Sequence, residues 1–564
     1  MKSSYPKYKY PAPLKMKNRQ WPDKILKKAP VWCSVDLRDG NQALPVPMNP
    51  EKKLDFFKML VKIGFKEIEV GFPSASKDDF DFVRYLIEED IAPKDVKISV
   101  LTQARPHLIK QTVESLEGVN KGIIHCYVAT SDLHGRFVFG NDRKKVLKMA
   151  VDGTKMIVDG LEKAGLRKKV GYEFSPEEFT DSDIGFVIEL CKAVKETWGK
   201  SRKGDFILNL PATVERRPPY QYADMIEYFC EHYPYLDETS ISIHAHNDQG
   251  CAVAASEMAL MAGGNRIEGT IFGHGERTGN LDISTLALNL YSRGVDPKLD
   301  FSDMPGLVRL VEEVSNIPVH PRHPYAGQLA FTAFSGSHQD AIRKGMDSLG
   351  KAADYFRQGW KVPYLHIDPA DIGRNYEKLI RINSQSGKGG VTYVLENDFG
   401  IYPPKAMQPQ IGTAVQLFAD SKGGEINSQE LLDIFRKSFI DVEGPYKLIE
   451  FVRSQQDSSS IDSIWVILKV ESCGEVLELE GFGNGPISAT VHALKQSGKF
   501  INFRLEDFTE QSLGHDCDAT AMAYVGIRTG SEDKIVYGAG EHSNIDMAAL
   551  KAIFAALNKA YNEK

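Results

Sequence analysis

From Trp32 onward, short runs rich in β-branched and apolar residues alternate with longer stretches in which apolar residues return every three or four positions. The rhythm predicts eight strands, near residues 32–37, 66–71, 97–102, 122–129, 169–174, 206–210, 239–245 and 266–272, each closing on a polar cluster and followed by a helix. The first connecting helix is the clearest. Asn49 is placed to cap it, Pro50 suits its first position, Leu54, Phe57 and Leu60 form one face, and Gly64 ends it. Eight strand–helix units match an α/β (β/α)8 TIM barrel, whereas an open doubly wound sheet usually has fewer strands. A barrel places chemistry at the carboxyl ends of its strands.

Past residue 300 the rhythm breaks. Residues 328–435 read as mostly helical, with loops at Asn383–Gly390 and Asp420–Ser428. A two-strand pattern then occurs twice: Ile464–Val470 with Val476–Gly481 and a helix from Ile487, and Ala521–Arg528 with Ile535–Gly538 and a helix from Asn544. The paired Gly-x-Gly elements at Gly481 and Gly538 lie 57 residues apart, so a duplicated ββα unit is expected. The expected division is an arm over 1–30, a barrel over 31–327, helical accessory subdomains over 328–440 and a separate domain over 441–564.

Length agrees with several domains, because 564 residues exceed what one hydrophobic core usually serves. With 42% hydrophobic and 26% charged residues the chain is ordinary globular material. No apolar run approaches the ~18 residues of a membrane-spanning helix. The net charge of −7 argues against a general nucleic-acid binder. Residues 1–30 carry nine Lys/Arg against the single acid Asp23, leaving −15 on the rest of the chain, so an extended arm lying on an acidic surface is expected. Seven scattered cysteines without a CxxC pair read as free thiols in a reducing, cytoplasmic setting.

The strongest local chemical signal is His244-Ala245-His246-Asn247-Asp248 at the end of strand seven. Residues i and i+2 of a strand share a face, so the two imidazoles can converge on one ion. Strand one leads into Asp36-Leu37-Arg38-Asp39-Gly40-Asn41-Gln42, which brings Asp39 beside strand eight when the barrel closes. Strand eight runs into Gly275-Glu276-Arg277-Thr278-Gly279-Asn280. A carboxylate, two imidazoles and an amide oxygen leave positions open, as in a catalytic metal site, and suit Mg2+, Mn2+, Co2+ or Zn2+ alike. Further polar groups fall on other strand ends: His125 and Tyr127, Ser175 and Glu177, and Thr213. Singly each has an ordinary packing role, but together they ring one mouth.

These motifs resemble the metal-dependent, acyl-CoA-condensing branch of the barrels related to pyruvate carboxylase and homocitrate synthase. The resemblance is closest to the 2-isopropylmalate synthase family and runs nearly end to end. It includes Leu210-Pro211-Ala212-Thr213-Val214-Glu215, His323-Pro324-Tyr325, Ser335-Gly336-Ser337-His338-Gln339-Asp340, Asn383-Ser384-Gln385-Ser386-Gly387-Lys388-Gly389-Gly390 and the late Gly-x-Gly-Asn-Gly-Pro. It departs at Val35-Asp36, where relatives usually show Thr-Thr or Asp-Thr. The resemblance implies condensation of acetyl-CoA with 3-methyl-2-oxobutanoate to 2-isopropylmalate in leucine synthesis, leucine as allosteric inhibitor, and a homodimer. It implies a divalent ion held by Asp39, His244, His246 and Asn280. Arg38 would stabilise developing negative charge, Leu101, His125 and Tyr127 would shape the pocket, and Ser175 and Thr213 would hold the substrate carboxylate. Glu177, His338 and Tyr376 would handle protons, the last two from outside the barrel.

Two glycine-rich motifs are weaker. Ser386–Gly390 lacks the early Gly and the Ser/Thr of a phosphate loop, and Gly481–Gly485 lacks the spacing of a dinucleotide fingerprint. The second reads as a tight turn, or as helix-end amides that hold a carboxylate. Two other functions stay open: a homocitrate or citramalate synthase with a different 2-oxo acid, and a metabolite sensor whose barrel is only a scaffold.

Overall fold

The computed structural model describes all residues except 1–6, 8, 136, 138–141, 334, 350–358, 377–387, 423–425, 455–463, 514–519, 531–533 and 564. The chain divides into two compact units, one comprising Met1–Phe331 with Ile367–Tyr376 and the other Thr332–His366 with Glu377–Lys564.

The first unit is a closed barrel of eight parallel strands in sequence order: β1 (Val31–Ser34), β2 (Glu67–Gly71), β3 (Lys97–Gln103), β4 (Gly122–Ala129), β5 (Val170–Glu177), β6 (Phe206–Ala212), β7 (Ser240–Ala245) and β8 (Arg266–Gly269). The TIM-barrel expectation therefore holds. The first helix spans Pro50–Ile63; the Asn49 side chain accepts the Lys52 N–H, and Gly64 ends it at φ 118°. Its buried face is Phe56, Phe57, Leu60 and Ile63, with Leu54 only half-buried. β1 and β8 are shorter than their apolar runs suggest. The Asp36 carboxylate accepts the Ile271 N–H (2.9 Å) and the Ser34 hydroxyl (2.7 Å), and Asp36–Gly40 wind into one wide π-helical turn instead of continuing the strand.

The basic arm does lie on acidic groups, those of the helix Pro219–His232. Arg19 donates two hydrogen bonds to Asp224 (2.6 and 2.5 Å), Trp21 Nε1 donates a third (2.9 Å), and the Gln20 N–H reaches Glu227 (3.0 Å). Asp224 is fully buried while the Arg19 side chain stays 40% exposed, so solvent screens one side of the pair.

In the second unit each repeat carries one more strand than the sequence reading counted. The first sheet has β9 (Tyr446–Ser454), β10 (Ile464–Ser472) and β11 (Glu475–Gly483), followed by the helix Pro486–Ser497. The second has β12 (Phe503–Leu513), β13 (Thr520–Thr529) and β14 (Ile535–His542), followed by the helix Ile545–Asn562. Both sheets are antiparallel and share one core with the two helices, so the repeat is βββα. Gly481, Gly483, Gly538 and Gly540 are not tight turns. They lie in strands, where a Cβ on Gly481 would sit 2.2 Å from the Ala489 carbonyl and one on Gly538 2.3 Å from the Ala556 nitrogen. The glycines let each helix lie directly on its sheet. The outer face of the second sheet (Met522, Tyr524, Tyr537, Ala539) joins a further core with the helices Lys388–Phe399, Gln408–Lys422 and Ser428–Phe435. Lys388–Gly390, expected in a loop, open the first of these helices, whereas Asn383–Gly387 lie outside the described residues.

Candidate active site and metal centre

The carboxyl ends of the barrel strands surround a cavity of about 270 Å3. Its walls include Arg38, Asp39, Leu101, His125, Tyr127, Ser175, Glu177, Thr213, His244 and His246, ten of the thirteen residues singled out in the sequence. Asn280 is buried directly behind Asp39 and His244. His338 and Tyr376 are not among the lining residues. His338 is half-buried in the helix Gly336–Ser348 and stacks on Tyr364 with ring centroids 4.0 Å apart; Tyr376 is half-buried in the segment Ile367–Tyr376.

Local backbone geometry explains why four residues distant in sequence meet. His244 and His246 point to one side of β7, their rings stacked at 5.4 Å and 18°. The chain after β8 loops out and returns, with Asn280 bridging to His246 and the Leu281 N–H bonding the Ala245 carbonyl (2.8 Å). That return needs Gly279, at φ 98°, whose Cβ would lie 1.9 Å from the Gly273 carbonyl. The wide turn after β1 then swings Asp39 across, so that its Oδ2 lies 3.4 Å from His244 Nε2, 3.9 Å from His246 Nε2 and 2.9 Å from Asn280 Nδ2. The ligand atoms of Asp39, His244 and His246 all fall within 4.8 Å of one another, and all three residues are buried. They form a candidate divalent-metal site.

The electrostatics suit that role. Burial would raise the Asp39 carboxyl, but the Arg38 guanidinium (2.8 Å) and His244 outweigh it and hold the group ionised well below the usual carboxylate range. Burial and the neighbouring His244 push His246 down to about 4, leaving a neutral imidazole whose Nδ1 is buried without a hydrogen-bond partner. Burial alone would lower His244 too, yet its bonds with Asp39 and Glu268 raise it to about 10. A proton on His244 Nε2, which lies 3.0 Å from Asn280 Oδ1, must be lost before that nitrogen can ligate an ion. The neutral His246 imidazole with Nε2 toward Asp39, the ionised Asp39 carboxylate and the amide oxygen Asn280 Oδ1 make a donor set that fits a divalent ion.

Beneath the cavity lies an ionic layer that the sequence reading missed. Glu268 Oε2 receives His244 Nδ1 (2.9 Å), fixing the ring. Arg266, fully buried, binds Glu67 (2.7 Å), Glu173 (3.1 Å) and Glu268. Glu69 grips Arg38 on one side and His125 Nδ1 (2.7 Å) on the other, and His125 Nε2 meets the Ser175 hydroxyl (2.6 Å). Glu67 and Glu69 alternate with Ile68 and Val70 in a strand buried on both faces. Carboxylates at i and i+2 in such a strand were the available signal. Arg277, also missed, lines the cavity, donates to Asp248 (2.6 Å) and holds the Thr213 carbonyl (2.7 Å).

Comparison with known proteins agrees with this anatomy. Residues 29–311 match the HMGL-like family, 328–396 the alpha-isopropylmalate synthase post-catalytic domain-like family, and 425–561 the LeuA allosteric (dimerisation) domain. The 2-isopropylmalate synthase of Clostridium acetobutylicum is 46% identical over 562 residues, covering 99% of each chain. That of Rhodospirillum rubrum is 46% identical over 553 residues, with 98% of each chain covered, and that of Thermobifida fusca is 47% identical over 556 residues, with 97% of this chain and 96% of the other covered. With this identity over its whole length, and with the barrel and C-terminal repeat just described, the chain belongs to the 2-isopropylmalate synthase family.

Proposed function

We propose that the protein condenses acetyl-CoA with 3-methyl-2-oxobutanoate, water cleaving the thioester, to release 2-isopropylmalate and CoA. This is the first committed step of leucine synthesis. The observation that carries the reading is the convergence of Asp39, His244 and His246 on the same cavity as Arg38, with Leu101, Phe72 and Pro211 supplying apolar wall for a branched side chain. Asp39, His244, His246 and Asn280 hold a divalent ion, and their mixed nitrogen and oxygen donors accept Mg2+, Mn2+ or Zn2+. When bound, such an ion supplies Lewis acidity at the ketone of the 2-oxo acid.

The remaining work falls to side chains. Arg38 stays charged although buried, because Glu69 and Asp39 flank it, and offers a preorganised cation to the oxygen that gains charge. Ser175, oriented by His125, and Thr213 receive the substrate carboxylate and its surroundings. Leu101, His125 and Tyr127 shape the pocket. Burial, and then the neighbouring Glu178, raise Glu177 above the ordinary carboxyl range, which suits a group that handles protons. His338 and Tyr376 serve proton transfer at the acetyl methyl, supplied across a homodimer by the partner chain.

The chain is then organised as a basic arm (1–30), a catalytic barrel (31–327), helical accessory subdomains (328–440) and a leucine-responsive regulatory domain (441–564). Leucine binding to the last lowers turnover. No helix among the described residues is long and apolar enough to cross a membrane, in keeping with a cytoplasmic enzyme.

Release of free CoA across a panel of 2-oxo acids tests the substrate. The expected order places 3-methyl-2-oxobutanoate first in kcat/KM, above pyruvate and above 2-oxoglutarate. Preference for 2-oxoglutarate or pyruvate would instead assign homocitrate or citramalate synthesis.

A further inference from the structure

At the opposite end of the barrel, the amino ends of β3 to β6 and the loops that precede them enclose a second concavity. Its volume is about 760 Å3, larger than that of the mouth. Seven of its fourteen lining residues are Lys or Arg, and one, Asp205, is acidic. This runs against the charge of the chain as a whole, which is −7.

Three of the seven cations are already engaged. Arg202 Nε pairs with Asp205 (3.0 Å), which neutralises the single carboxylate. The Lys97 ammonium bonds Glu67 (2.9 Å) and the Gly204 carbonyl (3.0 Å). Arg167 lies flat over Trp198, its guanidinium carbon 3.6 Å from the ring centroid, and donates to the Trp198 carbonyl (2.7 Å). The other four, Lys121, Lys168, Lys169 and Lys200, are exposed, and no carboxylate among the described residues comes within 4.0 Å of their ammonium groups. Trp198 lines the cavity but is only 3% exposed, with Arg167 over its ring.

We propose that this basin binds a polyphosphate-bearing anion carrying three or more negative charges. Four unpaired ammonium groups around one concavity repel each other, and a multivalent anion converts that repulsion into attraction from several sides. A concave protein wall concentrates the field in the same place. The lining also limits what else is recognised. Its large apolar groups are Val170 and Trp198, and the Trp198 face is taken by Arg167, so no stacking surface for a base remains. Charge is read, not a ring. The basin is at the end of the barrel opposite the cavity assigned to the condensation, so the two sites are separable by substitution.

The test is calorimetric titration of the intact enzyme with tripolyphosphate and, in parallel, with ATP, on wild type, on Lys121→Glu/Lys169→Glu and on the milder Lys121→Gln/Lys169→Gln. Tripolyphosphate should bind once per chain, at least as tightly as ATP and more weakly as salt rises. The reversal variant should lose about tenfold or more in affinity, equivalent to about 1.4 kcal/mol, while CoA release is unchanged. The milder variant should fall between. The proposal is overturned if wild type gives no saturable binding, if ATP binds and tripolyphosphate does not, or if both variants bind as wild type does.

Discussion

Glu268 Oε2 lies 2.9 Å from Nδ1 of His244, on the side of the ring away from Asp39, whose Oδ2 is 3.4 Å from Nε2. The imidazole is thereby held between a carboxylate that orients it and a carboxylate that shares its ligand position. Replacing Glu268 by Gln keeps the shape and removes the charge. The expected outcome is a roughly 10- to 100-fold loss of divalent-ion affinity, read by chelator competition, with turnover recovered at high ion concentration. Circular dichroism should show an intact barrel. Unchanged affinity would mean that the Glu268 charge does not tune His244 as a ligand.

Gly481 and Gly538 mark where each regulatory helix touches its sheet. Gly538→Ala would place a methyl 2.3 Å from the Ala556 nitrogen and 2.5 Å from the Ala552 carbonyl, forcing helix and strand apart. A destabilisation of about 1–3 kcal/mol is expected, with weakened leucine inhibition and basal CoA release preserved. A variant that melts earlier but remains fully leucine-sensitive would place the effector site elsewhere.

Lys559 gives a pH signature within the second unit. Burial, only partly opposed by Glu563, lowers its ammonium to about 8, and it sits over the Phe439 ring at 3.5 Å. The folded state therefore binds this proton less tightly than the unfolded chain, and stability rises with pH between about 8 and 10.4. From this one residue the gain is about 3 kcal/mol, fully present only above the unfolded value. In Lys559→Met that increment should vanish. Denaturant melts of both proteins at pH 7 and pH 10.5 measure it as the difference of differences, and identical pH slopes would contradict the burial argument.

His338 stacks on Tyr364 in a helix of the second unit and does not line the cavity. A site completed by the partner chain predicts intersubunit complementation. His338→Ala and His246→Ala homodimers should each be inactive, and heterodimers formed by subunit exchange should regain one working site. Verified heterodimers without activity would confine His338 to its own chain or remove it from the chemistry.

Much of the barrel was legible because its signals are local. Asn49, Pro50 and Gly64 punctuate the first helix by backbone rules that need no tertiary context, and the His244/His246 spacing means one thing only in a strand. Where long-range contacts decide, the reading failed. The apolar run after Trp32 looks like a strand to residue 37, but the Asp36 bond to Ile271, 235 residues away, ends it early. β12 alternates too weakly to announce itself, because much of it is exposed or half-buried. The inward carboxylates Glu67, Glu69, Glu173 and Glu268 look like outward polar positions until the barrel closes and Arg266 meets three of them. The contacts of His338 are equally invisible in one dimension, and only the motif around it singled it out.

The central claim is that activity needs a divalent ion held by Asp39, His244 and His246. It is tested most directly by measuring bound metal and CoA release from 3-methyl-2-oxobutanoate on the same enzyme, before chelation, after exhaustive chelation and after ion return, for wild type and His246→Ala. Wild type should lose both together and recover both together, whereas His246→Ala should stay folded, hold little ion and turn over at a small fraction of the wild-type rate throughout. Full CoA release from wild type stripped of metal would contradict the account.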